Sequence, residues 1–120
     1  SIAHPGDVVI FRSTVPGHHN CFQPRNDTES GLTPHDKFLK LYGTTKYDWD
    51  LFDAFNLYAK RKLDDLLPTV TSHYLNVYTM TVLRSDSHVA ATDCLHYTAS
   101  GPVDFWNHLL FTNLADMAIT

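Results

Sequence analysis

An aspartate stands three residues before a histidine in the segment Asp93-Cys94-Leu95-His96-Tyr97. Across one tight turn, such a carboxylate can accept the Nδ1 proton of the imidazole and leave Nε2 free to take a proton from a nucleophile. The spacing therefore predicts that Asp93 and His96 are the acid and base of an acyl-transfer site. The pattern occurs once, about as often as chance alone would give, so its sequence context has to support it.

The elements that must position this pair predict an α/β fold with parallel strands. The unbroken apolar run Asp7–Arg12 is typical of a central strand buried on both faces of a sheet. Asp48 can cap a helix from Trp49 to about Leu67, and Ser72–Met80 favours a second strand. A whole helix between two strands makes them parallel.

Two further helices are predicted. The long loop from Phe22 to Tyr47 contains a short helical segment at His35–Leu41, and the last helix begins at Ser100 or Gly101 with Pro102 at its first position. Apolar residues recur at three- and four-residue steps in the two long helices. The inward stripes are Trp49, Phe52, Phe55, Ala59, Leu63 and Leu66 in the earlier helix, and Val103, Trp106, Leu110, Leu114 and Met117 in the last.

Candidate substrate-binding residues follow the two predicted strands. Ligands gather at the carboxyl ends of parallel strands, which is where His18, Arg84 and His88 are expected to meet His96. Other interpretations stay open, because His18 can be a surface loop residue and Arg84 can simply pair with Asp86. No metal site is expected, since the adjacent His18 and His19 cannot easily reach one ion together.

Length and composition limit the classes of function. The chain has 120 residues, 43% of them apolar, which predicts a single packed domain. Its net charge of −4 and the absence of a large basic cluster argue against nucleic-acid binding. No apolar run approaches the roughly 20 residues that cross a bilayer. The first residues lack the features of a signal peptide, so any secretion signal is expected upstream.

The cysteines and one asparagine bear on the compartment. Cys21 and Cys94 either form a disulfide or are free buried thiols. A bond between them would close a loop of about 74 residues, worth roughly 4 kcal/mol in the chain-entropy model. Asn26-Asp27-Thr28 is an N-glycosylation sequon, which makes Asn26 a glycosylation candidate and favours an oxidising lumen.

Three segments resemble the PC-esterase group of SGNH (GDSL-type) acyl-esterases, which includes the plant trichome-birefringence-like polysaccharide O-acetyltransferases and related fungal capsule proteins. The first runs from Val8-Val9-Ile10-Phe11-Arg12-Ser13 through Pro16-Gly17-His18. The second is Leu75-Asn76-Val77 with Arg84-Ser85-Asp86-Ser87-His88. The third and most specific is Asp93-Cys94-Leu95-His96-Tyr97 followed by Gly101-Pro102-Val103-Asp104-Phe105-Trp106-Asn107. Thr98 and Ser100 depart from the family, which has cysteine and proline there.

The resemblance implies a partial SGNH-hydrolase-like three-layer fold, with residues 1–120 forming the carboxyl-terminal part of one such domain. Asp93 and His96 would belong to a Ser-His-Asp triad. The family's nucleophilic serine lies in a Gly-Asp-Ser motif, and this sequence contains no such tripeptide. The nucleophile and the oxyanion-hole donors are therefore expected in a missing part of the domain or in another chain.

The leading hypothesis is acyl transfer, with O-acetyl as the expected group, or ester hydrolysis on a glycan, with a serine nucleophile supplied from elsewhere. The expected partners are an acyl donor, a glycan acceptor and the remainder of the domain, with no cofactor and no metal. The resemblance implies the secretory-pathway lumen, such as the Golgi, or the extracellular space. The competing hypothesis is a non-catalytic glycan-binding or interaction module with the same fold, which the missing serine motivates.

Overall fold

The computed structural model describes residues 6–23, 25, 27, 30–43, 47–65 and 71–119. It shows a mixed α/β fold with a parallel two-stranded sheet, an antiparallel hairpin and flanking helices. In chain order the elements are β1 (Val8–Arg12), α1 (Pro34–Tyr42), a 3₁₀ turn (Trp49–Leu51), α2 (Phe52–Asp64), β2 (Thr71–Leu75), α3 (Tyr78–Thr81), a second 3₁₀ turn (Ser85–Ser87), β3 (His88–Ala90), β4 (Asp93–Tyr97) and α4 (Pro102–Ile119).

The predicted parallel strands are present. Strand β1 pairs with β2 in a register that runs from Val8 opposite Thr71 to Arg12 opposite Leu75, and α2 lies in the connection between them. The expectation that β1 is buried on both faces is wrong for the described residues, because Val8 is 53% exposed, Arg12 is also exposed, and the three residues between them are only partly buried. Among the described strands only β2 pairs with it, so the other edge of β1 has no strand partner within this part of the chain.

The second strand ends earlier than predicted. It stops at Leu75 rather than continuing to Met80, and a helical turn, α3, follows at once. The physical cause is the buried hydroxyl of Ser13, whose Oγ accepts hydrogen bonds from the backbone N–H groups of Val77 and Tyr78, both at 2.9 Å. Those two groups are thereby withdrawn from any strand ladder and held at the start of a helix.

The predicted helix from Trp49 to about Leu67 is divided. A 3₁₀ turn occupies Trp49–Leu51 and the α-helix runs from Phe52 to Asp64. Asp48 does not cap it, because Asp48 adopts a left-handed conformation with φ of 58° and its side chain makes no capping bond. The end of the prediction falls on residues 66–70, outside the described residues.

The apolar stripe predicted for this helix is only partly buried. Trp49 and Leu63 are buried and Phe52 and Ala59 partly so, whereas Phe55 is exposed. The polar Asn56 is buried instead. Its amide exchanges two hydrogen bonds with the backbone of Thr14: Oδ1 accepts from the Thr14 N–H at 2.8 Å, and Nδ2 donates to the Thr14 carbonyl at 2.9 Å. A buried amide with both bonds satisfied fixes the face that α2 presents to the loop after β1.

The short helix predicted at His35–Leu41 is confirmed as α1, Pro34–Tyr42. The Thr33 hydroxyl caps its first turn by accepting from the Asp36 N–H at 3.1 Å, and Gly43 ends it with a positive φ of 71°. Phe38 of this helix joins the main buried cluster, which contains Phe38, Trp49, Tyr78 and Val82.

The last helix, α4, begins at Pro102 as predicted. The indole N–H of Trp106 donates to the Thr81 hydroxyl at 2.8 Å and anchors the start of the helix to α3. The predicted inward stripe is wrong at Leu114, which is exposed, while its other members, Val103, Trp106, Leu110 and Met117, are partly buried. Apolar side chains occur on several sides of α4, and Phe111 is 68% exposed. None of the described helices is long and apolar enough to span a membrane.

Replacing Asn56 with alanine should destabilise the fold, because it removes a buried amide and both of its hydrogen bonds to the Thr14 backbone. We expect the free energy of unfolding to fall by about 1–3 kcal/mol, measured by urea denaturation. Asn107→Ala is the matched control, since Asn107 is exposed on α4 and should change stability by less than about 0.5 kcal/mol. Equal stability of the two variants would contradict the role of the amide.

Candidate active site

The carboxylate of Asp93 and the imidazole of His96 are in direct contact. Asp93 Oδ2 accepts from His96 Nδ1 at 2.8 Å. Both residues belong to strand β4 rather than to a separate turn. The other carboxylate oxygen, Asp93 Oδ1, accepts hydrogen bonds from the backbone N–H groups of Leu95 at 3.1 Å and His96 at 2.9 Å. With Nδ1 carrying the shared proton, Nε2 keeps its lone pair. The His96 side chain is 72% exposed, so that lone pair is accessible.

Asp93 is held in its ionised form. The hydrogen bond from the His96 backbone N–H, followed by those from the His96 ring and the Leu95 N–H, lowers the pKa of Asp93 to about 2. The carboxylate is therefore charged throughout the neutral and mildly acidic range. A fixed negative charge at Nδ1 keeps the imidazole in the tautomer that leaves Nε2 without a proton.

His18 does not lie where a substrate could reach it. Its ring is fully buried, and both nitrogens are occupied: Nε2 is 2.6 Å from the Val82 carbonyl oxygen and Nδ1 is 2.8 Å from His88 Nε2. The rings of Phe38 and Tyr42 pack edge-on against it. The predicted substrate contact is thus replaced by a structural role, because the loop after β1 turns inward at buried Pro16 and Gly17 instead of running over the surface.

His88 is buried beside His18 and stacks on Tyr97 at a centroid distance of 4.4 Å. Its Nδ1 lies 3.1 Å from the backbone carbonyl oxygen of His96. Like His18, it has no surface to offer a substrate, so its predicted binding role is also replaced by a structural one. His88 thus contacts both the buried ring of His18 and the backbone of the exposed His96.

Proton bookkeeping assigns the tautomers of this buried pair. The Val82 carbonyl can only accept, so His18 Nε2 donates, His18 Nδ1 accepts and His88 Nε2 donates to it. Burial lowers the pKa of His18 to about 4 and also lowers the pKa of His88, so both rings are neutral near pH 7. His88 Nδ1 then carries no proton, and its contact with the His96 carbonyl becomes a hydrogen bond only on protonation.

Arg84 pairs with a neighbour, which is the second of the two interpretations open for it. Its Nε donates to Asp86 Oδ1 at 2.9 Å, while Nη2 reaches Asp86 Oδ2 at 3.2 Å and the Ser87 hydroxyl at 2.8 Å. The guanidinium lowers the pKa of the Asp86 carboxyl. Arg84 also lines a groove against α4 with Met80 and Phe105, so its predicted substrate role has a competing local partner.

The loop after β1 is fastened to β4 at several points. Cys21 and Cys94 are joined by a disulfide with their Cα atoms 5.5 Å apart. The His18 N–H donates to the Cys94 carbonyl at 2.9 Å, and the Tyr97 hydroxyl donates to the Pro16 carbonyl at 2.7 Å. These bonds are made by Cys94 and Tyr97, the residues that directly follow Asp93 and His96, and they hold the strand that carries the pair.

Sequence reasoning missed an aromatic group beside Asp93. Trp49 is buried, and the rings of His19 and Tyr47 each lie 5.1 Å from it, centroid to centroid. Gly17 makes room for Trp49, since a Cβ atom at that position would lie 2.6 Å from both the indole and the Cys94 carbonyl oxygen. Two aromatic residues two positions apart, Tyr47 and Trp49, were the available signal, but His19 lies in a loop that is distant in sequence.

The described residues do not supply the other parts of a triad. None of their serine hydroxyls is hydrogen-bonded to His96, and Ser13 and Ser72 are engaged with backbone groups elsewhere. Within the same residues no three His, Cys, Asp or Glu side chains gather as a metal site. The glycosylation candidate Asn26 lies outside the described residues.

Comparisons with protein-family models, with curated proteins and with solved structures gave no match. The resemblance noted in the sequence therefore remains a prediction. The geometry of the site has to carry the functional conclusion.

Reducing the disulfide should destabilise the fold, because the bond closes a long loop in the unfolded chain. We expect the free energy of unfolding to fall by roughly 4 kcal/mol when Cys21 and Cys94 are reduced. The measurement is urea denaturation with and without a reductant. A Cys21→Ser, Cys94→Ser double variant serves as the control, since its stability should not respond to the reductant. An unchanged midpoint for the reduced wild type would contradict the expectation.

The buried His18 should make the fold sensitive to acid. Its pKa is about 4 in the folded chain against a usual value of 6.5, so between these pH values the unfolded chain binds the proton and the folded chain does not. Stability is therefore lost as pH falls from about 6.5 to about 4, by on the order of 3 kcal/mol from this group. Unfolding free energies of wild type and His18→Gln across this range test it. Identical pH slopes would show that His18 is not responsible.

Proposed function

We propose that this chain supplies the acid and base for acyl transfer, of O-acetyl groups in the first instance, or for ester hydrolysis on a glycan. The observation that carries the proposal is the 2.8 Å contact between Asp93 Oδ2 and His96 Nδ1, with the His96 ring exposed to solvent. A general base needs an oriented imidazole, a fixed tautomer and access to the reacting group. The first two are properties of this pair, and the exposed Nε2 satisfies the third.

In the proposed reaction, a serine from outside the described residues attacks the acyl carbon, and His96 Nε2 takes its hydroxyl proton. Nε2–H then protonates the leaving oxygen of the donor, which departs and leaves an acyl-serine. A sugar hydroxyl or water attacks that ester, gives its proton to Nε2, and the serine recovers the proton as it leaves. Asp93 stabilises the imidazolium at each transfer.

The wider assignment is to an SGNH-like PC-esterase domain of which residues 1–120 are the carboxyl-terminal part. Exposed apolar side chains support further protein packing against this chain. Phe105, Phe111 and Leu114 project from different sides of α4, and Val8 is exposed at the end of β1. A helix that is apolar on several sides is typical of the interior of a larger protein. The remainder of the domain would cover these surfaces and bring the nucleophile.

The disulfide supports an oxidising compartment. Such bonds persist in the secretory pathway and outside the cell and are rare in the cytosol. Cys21–Cys94 is therefore consistent with the lumenal or extracellular setting that a glycan-modifying protein requires.

The second candidate function is a non-catalytic module that binds a glycan. It is favoured by the absence, among the described residues, of a hydroxyl group bonded to His96. In that case the Asp93–His96 pair would be a surface hydrogen bond without a chemical step. The two functions differ in whether ester turnover depends on His96.

Replacing His96 with alanine in the full-length protein should lower the rate of acetyl release from a model aryl ester by about 10²- to 10⁴-fold, because the general base is removed. Asp93→Asn should also slow the reaction, since an amide cannot stabilise the imidazolium. Initial rates followed by absorbance of the released phenol measure both effects.

The matched control is His108→Ala, because His108 is exposed on α4 and is not among the hydrogen-bond partners that the described residues give Asp93 and His96. Its rate should equal that of the parent. Unchanged turnover in His96→Ala would reject the catalytic role and leave the binding module as the better description.

A further inference from the structure

A cleft of about 430 Å³ lies directly beside the candidate acid-base pair. Its volume is in the range that holds a small ligand or one residue of a polymer. Asp93, the first residue of β4, lines the cleft. The lining also includes His19, Asn20, Tyr47, Trp49 and Thr92. Since Asp93 bonds His96, a ligand in this cleft is one side chain away from the proposed base.

One wall of the cleft is a stack of three rings. The centroids of His19 and Tyr47 each lie 5.1 Å from Trp49 and 6.4 Å from one another, with interplanar angles between 23° and 40°. Such spacings are those of offset-stacked aromatic rings. Trp49 is buried and fixed against Gly17, whereas Tyr47 is 54% exposed. The wall therefore has a rigid centre and an accessible edge.

The charges in the cleft select among flat ligands. Among the described residues that line the cleft, Asp93 is the sole carboxylate and none is a lysine or arginine. A phosphate or a uronic acid would meet the ionised Asp93 without a compensating cation from these residues. A quaternary ammonium group is usually enclosed by aromatic faces on several sides, whereas these rings are inclined to one another by at most 40° and form one wall.

A neutral sugar ring fits these features. One face of a pyranose presents C–H groups that pack on an aromatic ring, while its rim carries hydroxyls that need hydrogen-bond partners. Asn20 and Thr92 supply an amide and a hydroxyl in the same cleft. Such a combination of an apolar wall and a few polar groups is typical of a small-molecule site.

We propose that the His19–Tyr47–Trp49 wall is the subsite for a neutral sugar residue of the glycan. This inference rests on the proposed function, because the sugar in the subsite would be the acceptor or the ester-bearing residue of a reaction at His96. Tyr47 is the residue that contributes most exposed ring surface and is the specificity-determining contact.

The test is calorimetric titration of the 120-residue chain with cellohexaose and mannohexaose. We expect binding of at least one of them, and a loss of affinity of about tenfold or more in Tyr47→Ala. Tyr58→Ala is the matched control, because Tyr58 is an exposed tyrosine on α2 outside the cleft; its affinity should equal that of the parent. In a Trp106→Phe background Trp49 is the remaining tryptophan of the two, and its fluorescence should respond to the sugar.

Three results would overturn the inference. The first is binding of neither oligosaccharide. The second is equal affinity in the parent and in Tyr47→Ala, and in particular a loss that appears instead in Phe22→Ala, because Phe22 lines the separate cavity near Arg25. The third is preference for polygalacturonic acid or displacement of the sugar by choline. Calorimetry involves no ester, so its outcome is independent of the acetyl-release assay.

Discussion

The attachment of the β1 exit loop to strand β4 is the constraint on which the site depends. The loop enters the interior at Pro16 and Gly17, places His18 in the core and continues to the buried Cys21, which is bonded to Cys94. Strand β4 pairs only with short β3 among the described strands. Without the loop, the residues that carry the proposed acid and base would rest on a small hairpin, which is marginal in water on its own.

The three histidines at this attachment have contrasting environments. His18 and His88 are enclosed, and burial lowers the pKa of each, so they behave as neutral packing residues with directed hydrogen bonds. His96 is exposed and faces an ionised carboxylate. The same type of side chain therefore has a structural role where it is buried and a proposed chemical role where it is exposed to water. The buried histidines and the exposed one are adjacent at the backbone carbonyl of His96, which lies beside His88 Nδ1.

Local patterns could be predicted from the sequence and distant contacts could not. The strand-forming segments, the helix that starts at Pro102 and the Asp93–His96 spacing depend on neighbours within a few residues, where side-chain type and periodicity decide the outcome. Ser13 ending β2, Asn56 holding Thr14, and His18 entering the core each depend on a partner more than forty positions away. Periodicity carries no information about such partners, and a polar residue is predicted to be exposed unless its buried hydrogen-bond partner is known. The aromatic wall has the same origin, since His19 meets Trp49 only after the loop has folded inward.

The space at Gly17 restricts how the sequence can vary. The indole of Trp49 presses from one side and the backbone of Cys94 from the other, which leaves no volume for even a methyl group. Trp49 of the aromatic wall and Cys94 of the disulfide thus both lie against Gly17, which cannot be replaced by a larger residue without moving one of them. Any natural or designed variant with a larger residue at position 17 would have to move Trp49 or strand β4. The aromatic wall of the cleft and the disulfide-bonded strand would then change position together.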